Sequence, residues 1–268
     1  MANENGVHFI LVHGLGHGAW CWYKLATLLR SDGHKVTVPD LAASGVDSKG
    51  LDQVGSVHSY FQPLMEIMED LAHDERVILV GHSYGGIGIA LAMEKYPQKV
   101  WVGVFATAVM PNFSFPPAAI IKEFFGKLDD AMDCQFTFDR GPDQKLPTSM
   151  KFGPNFIPSK LYQCCPPEDI TLAKTLVRPG RMFEEDISRE DMFTVENYGS
   201  VHKVYVVCKE DKLLDQHLQE WVAKVDPTDE VIAIEGADHM PMLSKPKEFH
   251  RCLLQIAEKY ASFHKVSV

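Results

Sequence analysis

Short runs of consecutive apolar residues alternate along this chain with longer stretches in which apolar side chains return every three or four positions. Val7-His8-Phe9-Ile10-Leu11-Val12, Arg76-Val77-Ile78-Leu79-Val80 and Val204-Tyr205-Val206-Val207-Cys208 are of the first kind. They are rich in β-branched residues and too short for helices. The pattern predicts strands near 7–12, 35–38, 76–80, 100–105, 203–208 and 230–235. Helices are expected between them near 19–31, 57–72, 84–96, 214–224 and 246–261. In the second of these, Tyr60, Leu64, Ile67, Met68 and Leu71 share one face, and Ser56 stands where an N-cap belongs. Uninterrupted apolar strands alternating with helices imply an α/β fold: a mainly parallel sheet with helices on both faces.

The alternation stops between about residues 111 and 200. Pro111, Pro116 and Pro117 end the strand region, and a segment rich in phenylalanine and methionine follows without strand periodicity. Phe124, Phe125, Met132, Phe136, Phe138, Met150, Phe152, Phe156, Tyr162, Met182 and Phe183 are too many large apolar groups for a solvated loop. The expected organisation is a core from 1–110 and 201–268, with 111–200 inserted as a cap over the strand ends. Part of the apolar set would line a pocket and the rest would form the cap's own small core.

One predicted strand runs directly into Gly81-His82-Ser83-Tyr84-Gly85 and then into a helix. A serine on such a sharp strand-to-helix turn is lifted above the sheet, which makes Ser83 the candidate nucleophile. Two later strands end at a carboxylate and at a histidine: Cys208-Lys209-Glu210-Asp211 and Glu235-Gly236-Ala237-Asp238-His239. Catalytic groups gather at the carboxyl ends of parallel strands, and serine, acid, base is the chain order this architecture uses. Asp211, where the loop begins, is a better acid than Glu210 or Asp215, and His239 is the base. After the first strand comes His13-Gly14-Leu15-Gly16-His17-Gly18. Such a turn aims backbone N–H groups at a developing alkoxide, so the oxyanion donors are assigned to Leu15 and Tyr84. The spacing does not fit a dinucleotide-binding fingerprint, and the bulky Ala19-Trp20-Cys21-Trp22 follows it.

With 268 residues, 46% hydrophobic and 23% charged, the composition is that of an ordinary globular protein. The net charge of −10 argues against nucleic acid or anionic membrane as partners. No secretory signal or membrane-spanning run is seen. Cys21, Cys134, Cys164, Cys165, Cys208 and Cys252 lack metal-ligand spacing, so they are expected as reduced thiols of a cytoplasmic protein without a metal site.

Several strings carry a family resemblance: His8-Phe9-Ile10-Leu11-Val12-His13-Gly14, Gly18-Ala19-Trp20, Asp40-Leu41-Ala42-Ala43-Ser44-Gly45, Pro167-Glu168-Asp169 and Gly236-Ala237-Asp238-His239-Met240. Together with the serine motif they resemble the plant methylesterase and hydroxynitrile lyase family over nearly the whole chain. The resemblance implies an α/β-hydrolase fold, a triad of Ser83, Asp211 and His239, no cofactor and, frequently, a homodimer. The lyases of this family carry threonine where Gly14 stands and lysine where Met240 stands, so both positions are expected at the substrate. A neutral Met240 would not stabilise a departing cyanide. The related methylketone synthases lack the serine that is present here. The expected function is therefore a serine carboxylesterase acting on the methyl ester of a small apolar metabolite. The string Ala131-Met132-Asp133-Cys134-Gln135-Phe136 looks more like the alkaloid-type than the salicylate-type esterases. A β-keto or β-aldehyde acid released in this way would lose carbon dioxide. The alternatives are a hydroxynitrile lyase and a hydrolase-fold ligand receptor with slow turnover.

Overall fold

The computed structural model describes residues 6–127, 130–141, 146–225 and 228–261. Six strands form one parallel sheet: β1 (His8–Val12), β2 (Lys35–Thr37), β3 (Val77–His82), β4 (Val100–Ala106), β8 (His202–Cys208) and β9 (Glu230–Ile234), in the spatial order 2-1-3-4-8-9. Every neighbouring pair in this sheet is parallel. In β1 and β3 every residue is buried, as continuous apolar strands covered on both faces require. Only β9, at an edge, alternates between exposed and covered positions. Helix α1 (Tyr23–Ser31) packs with α9 (Pro241–Ser244) and α10 (Pro246–Ala261), and α3 (Gln62–Asp70) packs with α4 (Gly85–Lys95). Helix α4 is almost wholly buried, consistent with its uniformly apolar sequence.

Two predicted helices are divided. The 19–31 stretch opens with a 3-10 turn at Ala19–Trp22 before α1 begins. The 57–72 stretch splits at Phe61 into α2 (Val57–Tyr60) and α3. Pro63 has no N–H to return to residue 59, and the Tyr60 carbonyl is taken by the Ala42 N–H at 3.1 Å. Ser56 caps α2 as expected, its hydroxyl accepting the Ser59 N–H at 3.1 Å.

The chain leaves the sheet after β4 and returns at β8. Between them lie α5 (Pro117–Lys127), α6 (Pro167–Leu176), α7 (Glu184–Ile187) and a small antiparallel sheet. That sheet consists of β5 (Gln135–Thr137), β6 (Ser149–Lys151) and β7 (Gly180–Arg181). At two or three residues each, these strands are too short to show the alternation that sequence reading depends on. The last helix following the sheet strands before the C-terminal pair is α8 (Gln216–Val225). No described helix is long and apolar enough to cross a membrane.

Candidate active site

Ser83 sits between β3 and α4 in the left-handed region, with φ +52°. This strained conformation is disfavoured for a residue with a Cβ and is held by its neighbours. Its N–H donates to Ala106 O at 3.3 Å, and its carbonyl accepts the N–H of Gly86 at 3.1 Å and of Val109 at 3.0 Å. The flanking glycines are required by close approach. A Cβ on Gly85 would lie 2.6 Å from the Val12 carbonyl oxygen, and one on Gly81 would lie 2.8 Å from the Gly85 oxygen.

Across from this turn, the loop after β1 is held by two histidines. Leu41 N–H donates to His13 Nε2 at 3.1 Å, which leaves Nδ1–H to donate to Gly14 O at 2.8 Å. That carbonyl belongs to the same peptide unit as the Leu15 N–H. His17 Nδ1–H donates to Leu15 O at 2.9 Å, and its Nε2 accepts the Tyr162 hydroxyl at 2.8 Å. Burial lowers His13 to about 4 and His17 to about 3, so both are neutral near pH 7. Among the described residues the N–H groups of Leu15 and Tyr84 have no hydrogen-bond partner. Tyr84 lies at the N-cap of α4, where the helix dipole favours negative charge. The two histidines were visible in the sequence, but only their contacts assign them this role.

Asp211 and His239 meet at the ends of β8 and β9. His239 Nδ1 donates to Asp211 Oδ2 at 2.7 Å, with both side chains buried. Oδ1 of Asp211 accepts the N–H of Leu213 at 2.7 Å and of Leu214 at 3.0 Å. The alternatives stand elsewhere: Glu210 is exposed, and Asp215, also exposed, accepts the Leu218 N–H at the start of α8. His82, next to Ser83, donates from Nε2 to the His239 carbonyl at 2.6 Å, and the two rings lie 4.8 Å apart. Burial lowers the His82 pKa well below its usual range, so it acts as a neutral strut. Asp238, fully buried, accepts the N–H of Cys164 at 2.8 Å and of Met240 at 2.9 Å. It thereby ties the histidine loop to the inserted segment, and burial pushes its carboxyl upward.

Ser83 opens into a cavity of about 500 Å³, its mouth included. From the core come Leu15, Tyr84, Val109, Leu213 and Leu214. The 111–200 segment adds Ile120, Ile121, Phe124, Phe125, Met150, Phe152 and Met182. The rest of its apolar set is divided: Phe156, Tyr162 and Phe183 are buried outside this wall, Phe136 is half-buried, and Met132 and Phe138 are exposed.

Gly14, Met240 and His239 are not among the described residues that line this cavity. Gly14 lies against the serine turn, where an added Cβ would be 2.8 Å from Ser83 Cβ and 3.1 Å from His82 Nδ1. Met240 is fully buried, and its backbone N–H is used by Asp238. Gly14 is thus packed against the serine turn, and Met240 is packed beside His239 in the same loop. A threonine at position 14 therefore has to displace the serine turn.

Among the described residues no group of three His, Cys, Asp or Glu is placed to hold a metal ion, and the six cysteines are unpaired.

Residues 9–251 match the alpha/beta hydrolase family. Methyl jasmonate esterase 1 of Vitis vinifera is 48% identical over 256 residues, covering 95% of this chain and 98% of that protein. Norfluorocurarine synthase 2 of Strychnos nux-vomica is 49% identical over 255 residues, covering 94% and 96%. The crystal structure of polyneuridine aldehyde esterase superposes with a TM-score of 0.88 at 44% identity, covering 94% of this chain and 99% of that one.

Proposed function

We propose that this chain, which belongs to the alpha/beta hydrolase family and is a carboxylic ester hydrolase of the methylesterase type, works as a serine esterase on the methyl ester of a small apolar metabolite. One observation carries the reading: the buried Asp211–His239 pair is held by His82 beside the strained Ser83 turn, and Ser83 opens into an almost wholly apolar cavity. Nδ1 of His239 is committed to Asp211, so Nε2 is the nitrogen available to take the Ser83 proton. The Ser83 oxygen attacks the ester carbonyl. The N–H groups of Leu15 and Tyr84 receive the oxyanion, each contributing about 3 kcal/mol to its stabilisation. Imidazolium formation on His239 is favoured by the Asp211 carboxylate. The proton then passes to the departing methoxide, methanol leaves, and water activated by His239 hydrolyses the acyl-enzyme to regenerate Ser83.

Among the described residues the wall has no charged side chain to recognise a second ionised group on the acyl part. An uncharged, apolar acyl group is therefore the substrate class that fits. Where that group carries a β-carbonyl, the released acid loses carbon dioxide without further help, and a ketone or aldehyde is the net product.

The reading is tested by incubating purified protein with a panel of apolar methyl esters and with mandelonitrile, identifying products by mass spectrometry. Methanol and the free acid, or its decarboxylated product, are expected over many turnovers, with no cyanide above background. Cyanide release without ester turnover would replace this reading with a lyase. A single burst followed by retained product would replace it with a receptor.

A further inference from the structure

Thr107 follows β4 directly, and it is the second residue at this end of the sheet with a left-handed backbone, φ +38°. For a β-branched residue that conformation is an outlier, and such outliers persist where the surroundings enforce them. The turn does not rely on the side chain. Thr107 N–H donates to Val206 O at 2.9 Å, and the Tyr205 hydroxyl accepts the Ala108 N–H at 3.1 Å and donates to the Ala108 carbonyl at 2.9 Å. The fully buried threonine hydroxyl is thus free for another task. It donates to Asp211 Oδ2 at 2.5 Å, the same oxygen that accepts His239 Nδ1–H. The same stretch also supports the serine turn, since Ala106 O accepts the Ser83 N–H and Val109 N–H donates to the Ser83 carbonyl.

We propose that Thr107 is a positioning residue whose hydroxyl locks the Asp211 carboxylate in line with His239. This rests on reading Ser83, Asp211 and His239 as the reacting set. The carboxylate receives four donors: two backbone N–H groups on Oδ1, and Thr107 and His239 on Oδ2. Without the hydroxyl, a buried carboxylate oxygen loses one of its two partners, and rotation about Cβ–Cγ no longer breaks a bond to the turn after β4. His239 then loses the fixed acceptor that orients its ring when the serine proton arrives. Substrate binding in the cavity is untouched, because Thr107 is not part of its wall.

The test compares Thr107→Val, which keeps the branched shape without the hydroxyl, with Thr107→Ser, which keeps the hydroxyl without the methyl. Methyl ester kinetics and melting temperature are measured for both. The far-downfield ring proton of His239, identified by its loss in His239→Gln, is followed by NMR. Thr107→Val is expected to lower kcat about 10- to 100-fold, the loss of one hydrogen bond to a charged group, with KM within about twofold. Thr107→Ser is expected to stay within about threefold of the parent. The downfield proton should move in the valine variant and hold in the serine variant. Equal kinetic losses in both variants, or an unmoved proton in Thr107→Val, overturn the proposal. If Thr107→Val does not fold, Thr107→Ala takes its place by the same criteria. The resonance needs no substrate. A parent protein that cleaved no ester would sink the esterase reading, while the Thr107 assignment would still stand or fall on the proton.

Discussion

The six-stranded sheet and the segment between β4 and β8 are both rich in apolar side chains, yet they use them differently. Phe105 in β4 is wholly buried between covering helices, and residues 77–80 of β3 are equally dry. In the inserted segment Phe125 is only partly covered, stacking edge-on against Phe136 and facing the cavity. That segment is joined to the sheet region by shared apolar packing, such as Phe183 against Tyr60, and by polar ties. Tyr84 Oη donates to Met182 O at 2.7 Å, and Asp186 accepts the Val57 N–H at 2.7 Å. Arg178 donates to the carbonyls of Gly45, Asp47 and Lys49, and Lys24 pairs with buried Asp169 at 2.5 Å. Tight packing surrounds the Ser83, Asp211 and His239 loops, whereas the wall leaves part of its apolar surface facing the cavity.

The largest effects should come from the packed floor. Ser83→Ala is expected to lower turnover by at least ~10³-fold with melting temperature near that of the parent, since the reacting groups act as a unit. Asp211→Asn should cost roughly 10²–10⁴-fold, whereas Asp215→Asn, which only alters a helix cap, should leave turnover nearly intact. Near-normal hydrolysis by folded Ser83→Ala, or a crippling Asp215→Asn, would reverse those assignments.

A pair of like substitutions separates the regions directly. Phe105→Ala removes a close-packed core ring and should cost about 3–5 kcal/mol of stability. Phe125→Ala should cost much less stability but raise KM about tenfold or more for a bulky acyl group. Denaturant titration and steady-state kinetics on both proteins decide this. Similar stability losses would mean that the wall is as tightly built as the sheet.

The last comparison concerns the histidines that hold the loop after β1, read through pH. His13 and His17 titrate near 4 and 3 when folded, below the ordinary 6.5. The unfolded chain therefore takes up protons first as pH falls. Stability is complete above about pH 6.5 and is lost on acidification, by about 1.4 kcal/mol per unit for each histidine until its folded value is reached. Opening the segment around Tyr162 lets a solvated His17 take up a proton near its ordinary value, so hydrogen exchange should open the inserted segment before β3 as pH drops from 7 to 5. A urea midpoint unchanged over that range would refute the assignment.

What could be read along the chain was whatever leaves a local pattern. The strands were legible because burial on both faces demands unbroken apolar runs. The Ser83 turn was legible because close backbone approach demands glycine at 81 and 85. Asp211 and His239 were found because parallel strands present their carboxyl ends together. The short strands β5, β6 and β7 left no periodicity to detect. Nor did any pattern in the sequence distinguish Phe125 at the cavity from Phe156 beneath it.

The sequence by itself determined the layered α/β architecture and the placing of a serine, a carboxylate and a histidine at strand ends, since both follow from local periodicity and turn chemistry. Only the tertiary structure decided that His13 and His17 brace the loop after β1, and that Thr107 shares an Asp211 oxygen with His239. The physical reason is distance along the chain. Thr107 and Asp211 are 104 residues apart, as are many pairs that could have met instead, and only the register of β4 against β8 brings these two within hydrogen-bonding range.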